Sequence, residues 1–283
     1  MRAQDPSRTA LGAAGYRAAH QTLDGGRVFA DPFAHAILGP DADSIVATLA
    51  ADPSQAPARL FMAARSRFAE DCLATAAARG VVQAVVLGAG LDTFALRNPH
   101  ADLRVFEVDH PQTQAWKQAR LAAAGLALPP GLTFAPVDFE GDGLADGLAA
   151  AGFRTDAPAV FVWLGVVPYL RKAAIEATLG YIAAVPDAEV IFDYSEPLEN
   201  HPPARRREMM ALAERAAAIG EPWLSHFDPA DISGILARLG LTDQEDLGVE
   251  AIARRYLGAP AGTGEGVSGP HVIRARAIAS GAA

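Results

Sequence analysis

The chain carries one cysteine in 283 residues, Cys72, and that scarcity excludes an internal disulfide or any cysteine-built metal cluster. Its apolar, helical surroundings mark it as a core residue rather than a nucleophile. Basic residues are outnumbered: 24 Lys and Arg face 33 Asp and Glu, a formal net charge of −9. With no basic excess to neutralise phosphates, nucleic acid is disfavoured as a partner. The only basic cluster, Arg205-Arg206-Arg207, reads as the solvated face of a polar helix. No apolar run approaches the roughly 20 residues of a membrane helix. The first residues, Met1 to Thr9, are polar and lack an apolar signal region. A cytoplasmic chain is expected. No His, Asp or Glu constellation has metal-ligand spacing, so no resident metal is expected either.

What is present is apolar material, 51% of the sequence, enough for one large domain with a proper core. The first 80 or so residues read as a helical cover. Asp31-Pro32 looks like a helix start, with Asp as N-cap and Pro at the first helical position. Pro53 to Pro57 looks like a short linker, and 58–79 is helical with Gly80 as its C-terminal cap. From there strands and helices alternate. Strands are expected at 83–87, 103–108, 133–137, 159–164 and 189–194, with helices at 111–124, 143–151 and 172–184 between them. A helical insertion, 203–219, and a helix at 229–239 opened by Asp228 follow. Two last strands, 241–247 and 271–279, are separated by a Gly/Pro-rich loop at 257–270. Alternation of strands that are apolar on both faces implies a mostly parallel sheet buried under helices. The expected organisation is a single domain over 1–283, with a cover (1–80), a cofactor-binding half (81–196) and a substrate side (197–283).

The most informative stretch is Val85-Val86-Leu87-Gly88-Ala89-Gly90-Leu91-Asp92-Thr93, followed by Val105-Phe106-Glu107-Val108-Asp109. One apolar run stops in two glycines and the next stops in acids. This is how a nucleotide-binding α/β sheet begins: glycines let the backbone approach a ligand, and an acid about 20 residues on accepts hydrogen bonds from ribose hydroxyls. A dinucleotide fold would show a third glycine at position 93, which is Thr93, and would place phosphate beside Asp92. A carboxylate there repels phosphate but tolerates a cation. S-adenosylmethionine, with a ribose, an ammonium, a sulfonium and no phosphate, fits better than NAD. In an open parallel sheet ligands lie beyond the carboxyl ends of the strands. Those ends carry Glu107 and Asp109, Asp138 and Phe139, Leu164 and Gly165, and Tyr194 to Glu196, rich in acid and free of base.

On these residues the chain resembles the leucine carboxyl methyltransferase-like family of S-adenosylmethionine-dependent O-methyltransferases, including its bacterial polyketide-type and uncharacterised branch. The two central motifs carry the likeness, together with Ser7-Arg8-Thr9-Ala10, Tyr16-Arg17-Ala18, Asp31-Pro32-Phe33-Ala34 and Ala64-Arg65-Ser66-Arg67-Phe68. His110-Pro111 with Lys117, and Trp163-Leu164-Gly165-Val166-Val167-Pro168-Tyr169-Leu170, also support it. The resemblance implies a Rossmann-like class I methyltransferase fold with a seven-stranded sheet. It implies that Gly88, Ala89 and Gly90 form the turn beneath the methionine part of the cofactor. Arg65, and Arg17 with it, would meet the amino-acid end of the cofactor, where an Arg fork can bond both carboxylate oxygens. Asp109, with Glu107, would hold the ribose, and Asp138 and Phe139 the adenine. Two positions depart from the pattern: Phe94 stands where many relatives have arginine, and Leu164 where many have glutamate.

Methyl transfer from a sulfonium mainly requires alignment and exclusion of water. A carboxylate acceptor needs no base, whereas a hydroxyl benefits from one. Candidates are Tyr169, Tyr194, His201, Trp223 and His226, with His226 first and Tyr194 second. The acceptor is expected to be a small molecule. Two rivals stay open at this level: a nicotinamide-dependent oxidoreductase, and a cofactor-binding relative without transferase activity, which Leu164 keeps in view.

Overall fold

The computed structural model describes residues 8–137, 143–218, 220–260 and 267–278. Seven strands form one sheet in the order β3-β2-β1-β4-β5-β7-β6, and the chain divides into two compact units, at residues 154 and 155.

The first unit starts with helices α1 (Arg8–Leu23), α2 (Ala34–Leu38), α3 (Ala42–Ala51) and α4 (Ala56–Ala78). Strand β1 (Gln83–Leu87), the short helix α5 (Phe94–Arg97), β2 (Arg104–Asp109), α6 (Pro111–Ala123), β3 (Leu132–Pro136) and α7 (Leu144–Ala150) complete it. All five residues of β1 are buried, as a strand covered on both faces must be. β1 and β3 each pair with β2 in parallel, Val85 lying beside Phe106 and Phe106 beside Thr133. Phe106 meets Phe153 edge to face at 5.6 Å. The helical cover has its own core, in which Ala14, Ala18, Ile37, Leu38 and Leu121 enclose Leu91. Leu91 follows the second glycine of the motif, so burying it, which stabilises by about 1.5–3 kcal/mol, also ties the turn to the cover.

The second unit holds β4 (Val160–Trp163), α8 (Lys172–Ala183), β5 (Glu189–Ser195), α9 (Pro203–Ala218), α10 (Pro229–Arg238), β6 (Asp243–Leu247), α11 (Val249–Tyr256) and β7 (Pro270–Arg276). β4 and β5 are parallel, while β7 runs antiparallel to both β5 and β6. No helix among the described residues is long and apolar enough to cross a membrane.

Several expected boundaries move, for local reasons. Asp31 does not cap a helix starting at Pro32. Its Oδ1 accepts the Phe33 N–H (3.1 Å), the helix begins at Ala34, and the other carboxylate oxygen is used elsewhere. The 53–57 linker is a 3-10 turn, Pro53–Gln55, running straight into α4, whose first turn accommodates Pro57. Asp228 precedes α10 as expected, but its side chain caps nothing there and accepts from Asn200 instead (2.7 Å). β6 begins at Asp243 rather than 241 because the Leu241 N–H closes the end of α10 on the Leu236 carbonyl (2.9 Å), past Gly240 at φ 84°. Helix α11 was not expected; it occupies sequence between the last strands that lacks a long apolar pattern, and Ile252 is its one buried residue.

Candidate cofactor site and acceptor-side residues

The glycine turn is built where β1 ends. Gly88 and Gly90 have φ of 63° and 46°, a region that L side chains rarely adopt. A Cβ on Gly90 would also stand 3.0 Å from the Ala10 methyl of α1. Ala89 donates to Val108 O (3.1 Å), continuing the parallel ladder, and the Asp92 N–H returns to Ala89 O (2.7 Å), closing the turn. Asp92 Oδ1 accepts the Phe94 N–H (2.7 Å), so this acid starts α5.

Asp109 sits at the end of β2 and closes the turn from the other side. Its Oδ2 accepts the Gly90 N–H at 2.6 Å and its Oδ1 the His110 N–H at 2.7 Å. Burial raises its pKa above the ordinary aspartate value, against the lowering pull of those amides, the Thr113 hydroxyl and Lys117. With those three donors in place, one of the carboxylate's roughly four lone-pair sites remains for a further donor. The second unit repeats the device. Asp193 of β5 accepts the Gly165 N–H at 2.5 Å, and Gly165, at φ 73°, follows β4. Twice, then, an acid borne on a strand fixes a left-handed glycine after the neighbouring strand.

The structure places the other expected residues as follows. Glu107 is buried and bonded to Lys117 Nζ at 2.5 Å, which occupies the carboxylate thought to share the ribose. Arg17 is buried; its Nε pairs with Asp31 (3.0 Å) and a second guanidinium nitrogen donates to Leu91 O (2.6 Å). It therefore grips the turn itself. Arg65 is buried on α4, its guanidinium 6.0 Å from the Phe61 ring centroid, whereas Arg67 forms an exposed pair with Asp71 (2.7 Å). Cys72 is buried, and His110 caps α6 by accepting the Gln112 N–H. Asp138 and Phe139 lie outside the described residues. Leu164 follows β4, half-buried, beside Gly165.

Sequence reasoning missed a buried network behind the turn. Asp31 Oδ2 accepts Thr93 Oγ1–H at 2.8 Å as well as Arg17. Arg97 Nε reaches Thr93 Oγ1 (3.3 Å), and its terminal nitrogens form a two-pronged pair with Glu70 of α4 (2.5 and 2.6 Å). Both Asp31 and Thr93 belong to motifs quoted above, but their local patterns match a cap and a loop, and only the fold brings them together.

In the second unit, Tyr194 is 1% exposed and donates to Asp246 at 2.5 Å. Burial first, then Asp246, Glu196 and Asp228, push its pKa far above the ordinary tyrosine value. A phenol held this way is a poor base at neutral pH. His271 stacks on the Tyr194 ring at 4.8 Å and bridges Asp246 (2.9 Å) and Glu196 (3.2 Å). His226 is half-buried, and its pKa is lowered by burial and by the charges of His201 and Lys172, against the opposing pull of Glu199. His201 is 3% exposed, and its Nδ1 lacks a hydrogen-bond partner among the described residues.

Residues 10–183 match a family model described as leucine carboxyl methyltransferase. YktD of Bacillus subtilis, named as an S-adenosyl-L-methionine-dependent methyltransferase, is 34% identical over 193 residues, 67% of this chain. The alignment spans 63% of YktD, a little under two thirds of its length. A Mycobacterium avium protein named for the same activity is 32% identical over 233 residues, 76% of this chain and 73% of that protein. Among solved structures, a Thermobifida fusca protein named as a methyltransferase superposes with a TM-score of 0.57 over 98% of this chain and 97% of its own, at 18% identity. A DUF574-family protein from Streptomyces avermitilis gives 0.54 over 94% and 97%, at 16% identity. At such identities these two likenesses speak for the fold alone.

Proposed function

Because the chain belongs to the leucine carboxyl methyltransferase family, whose relatives are S-adenosylmethionine-dependent methyltransferases, we propose that it methylates an oxygen, carboxylate or hydroxyl, of a small molecule such as a polyketide-like metabolite. The observation that carries the cofactor side is the Gly90–Asp109 bond at 2.6 Å: the turn's backbone and the acid assigned to the ribose are locked together. The donor set fits the group. A left-handed glycine turn leaves room where a Cβ would collide, a strand-end carboxylate accepts from vicinal hydroxyls, and a buried Arg65 supplies a fork for a carboxylate. Asp92 beside the turn argues against a diphosphate, and family membership replaces the nicotinamide alternative.

S-adenosylmethionine, when bound, supplies a methyl group already activated on sulfonium. The chain then has to bind, orient and dehydrate the acceptor. For a hydroxyl acceptor, His226 is the residue to take the proton. Its lowered pKa leaves the imidazole neutral at pH 7 and able to accept. Tyr194, committed to Asp246, serves packing and not proton transfer. For a carboxylate acceptor no base is needed, and His226 becomes an anchor.

The test has two arms. Calorimetric titration with S-adenosylhomocysteine should give micromolar binding, about −8 kcal/mol, that is lost in Asp109→Ala. Labelled methyl transfer is then followed across matched carboxylic acids and phenols. Failure of the wild type to bind overturns the cofactor reading. Binding without transfer to any acceptor favours the non-transferring relative, as Leu164 in place of the family's glutamate would suggest.

A further inference from the structure

We propose that Asp31, Thr93 and Arg17 are positioning residues that hold the glycine turn in its binding shape, making the N-terminal helical segment a working part of the cofactor site and not only a cover. The inference rests on the cofactor reading above. Asp31 lies between α1 and α2 with its side chain fully buried. One of its carboxylate oxygens accepts from both Arg17 Nε (3.0 Å) and Thr93 Oγ1 (2.8 Å), and the other from the Phe33 N–H. Arg17 in turn donates to Leu91 O at 2.6 Å. The main chain at Leu91 and the side chain at Thr93, on either side of Asp92, are thus anchored to one carboxylate.

On the far side of the turn, Asp109 holds the Gly90 N–H. The segment 90–93 is therefore gripped from both directions, by β2 and by the N-terminal segment. It needs that grip, because a turn built on two glycines has little conformational restraint of its own. A binding loop ordered before its ligand arrives avoids the ordering cost on binding. The network is also balanced in charge. Arg17 and Arg97 face Asp31 and Glu70, so the buried ions are mutually compensated. Through the two-pronged Arg97–Glu70 pair the same network reaches α4, the helix that carries Arg65. The turn and the arginine helix are thereby fixed to each other.

Thr93→Val removes the hydroxyl and keeps the shape; Thr93→Ser restores the hydroxyl. Arg17→Lys keeps the charge opposite Asp31 and gives up the fork that reaches Leu91. Three quantities are measured on each protein: native-state amide exchange of residues 89–94 without ligand, the dissociation constant for S-adenosylhomocysteine, and global stability in urea. We expect Thr93→Val and Arg17→Lys to speed exchange in 89–94, and to weaken binding, by roughly tenfold, the scale of one hydrogen bond, with Thr93→Ser close to the wild type in both. Unchanged loop exchange and affinity, or a loss confined to global stability, would overturn the proposal. A wild type that binds no S-adenosylhomocysteine defeats the cofactor reading alone, because exchange in the ligand-free protein still decides whether the brace orders the turn.

Discussion

Lys117 Nζ lies 2.5 Å from Glu107 Oε2, and both side chains are almost wholly buried, at 2% and 1% exposure. The pair joins α6 to β2 two residues before Asp109, so it holds the strand end that closes the glycine turn. Burial raises the Glu107 pKa to about 7; Lys117 opposes the rise, and Asp92 and Asp109 add to it. A buried ion that loses its partner costs about 3–5 kcal/mol, whereas a well-packed apolar replacement of both members is often neutral. Glu107→Gln should therefore destabilise the protein by several kcal/mol in urea, and Glu107→Met with Lys117→Met should recover most of that loss. Equal damage in the single and double variants would show that the pair's charges do not matter.

Gly90→Ala tests the turn itself. The residue sits at φ 46° with the Ala10 methyl 3.0 Å from where a Cβ would go. The left-handed conformation costs a non-glycine residue roughly 1–2 kcal/mol, and relieving the contact requires α1 to move. We expect stability to fall by about 1–3 kcal/mol and S-adenosylhomocysteine affinity to fall more than Gly80→Ala makes it fall. Gly80 is also left-handed, at φ 89°, but it caps α4 with open space around it. The comparison separates turn geometry from the general cost of replacing a left-handed glycine.

The parallel strands were legible because each is a short β-branched or apolar run bounded by glycine, proline or acid, and β1 matches its expected limits, Gln83–Leu87. An acid at the end of β2 beside the glycine turn was legible from its spacing to the glycines, whereas its bond to the Gly90 N–H was not. The roles of Asp31, Thr93 and Arg97 were not. Asp31 before a proline satisfies the local rule for a cap, Thr93 reads as part of the glycine loop, and partners 62 residues apart leave no periodic trace. The partner of Tyr194 is hidden for the same reason: nothing near it in sequence announces Asp246, 52 residues on. Helix α11 was hidden because its eight residues, with only Ile252 buried, fall short of the roughly 11–18-residue window over which helical periodicity is read.

His226 gives the reaction a pH signature. Burial holds its pKa below 6.5, with Glu199 opposing and His201 and Lys172 adding to the effect. With a hydroxyl acceptor, kcat/KM should be flat through neutral pH and fall only as pH drops through that lowered value, where the imidazole becomes protonated. His226→Gln should remove this acidic limb and reduce transfer by about 10²–10⁴-fold, while S-adenosylhomocysteine still binds as it does to the wild type. A carboxylate acceptor should show neither effect. If the limb survives the substitution, another group is the base.

His271 and Glu196 give folding stability its own pH window. Burial depresses the His271 pKa, but the bonds to Asp246 and Glu196 outweigh it and the net shift is upward. Its contribution is thus fully present below the unfolded value of about 6.5, and is lost as pH rises through the higher folded value. For Glu196, burial pushes the pKa up, and Asn200, the Gly269 amide and His271 together bring it below the ordinary value. Its contribution is present above the unfolded value of about 4.3 and is lost as pH falls through the folded one. Both contributions are whole only between roughly pH 4.3 and 6.5. Urea unfolding across pH 4 to 9 should show wild-type stability declining above pH 6.5 by on the order of 1–2 kcal/mol, and His271→Gln should flatten that decline. The decline ought to follow the imidazole rather than Tyr194, whose phenol stays protonated throughout this range under the pressure of burial and Asp246. A decline of equal size in the variant would assign it to another group.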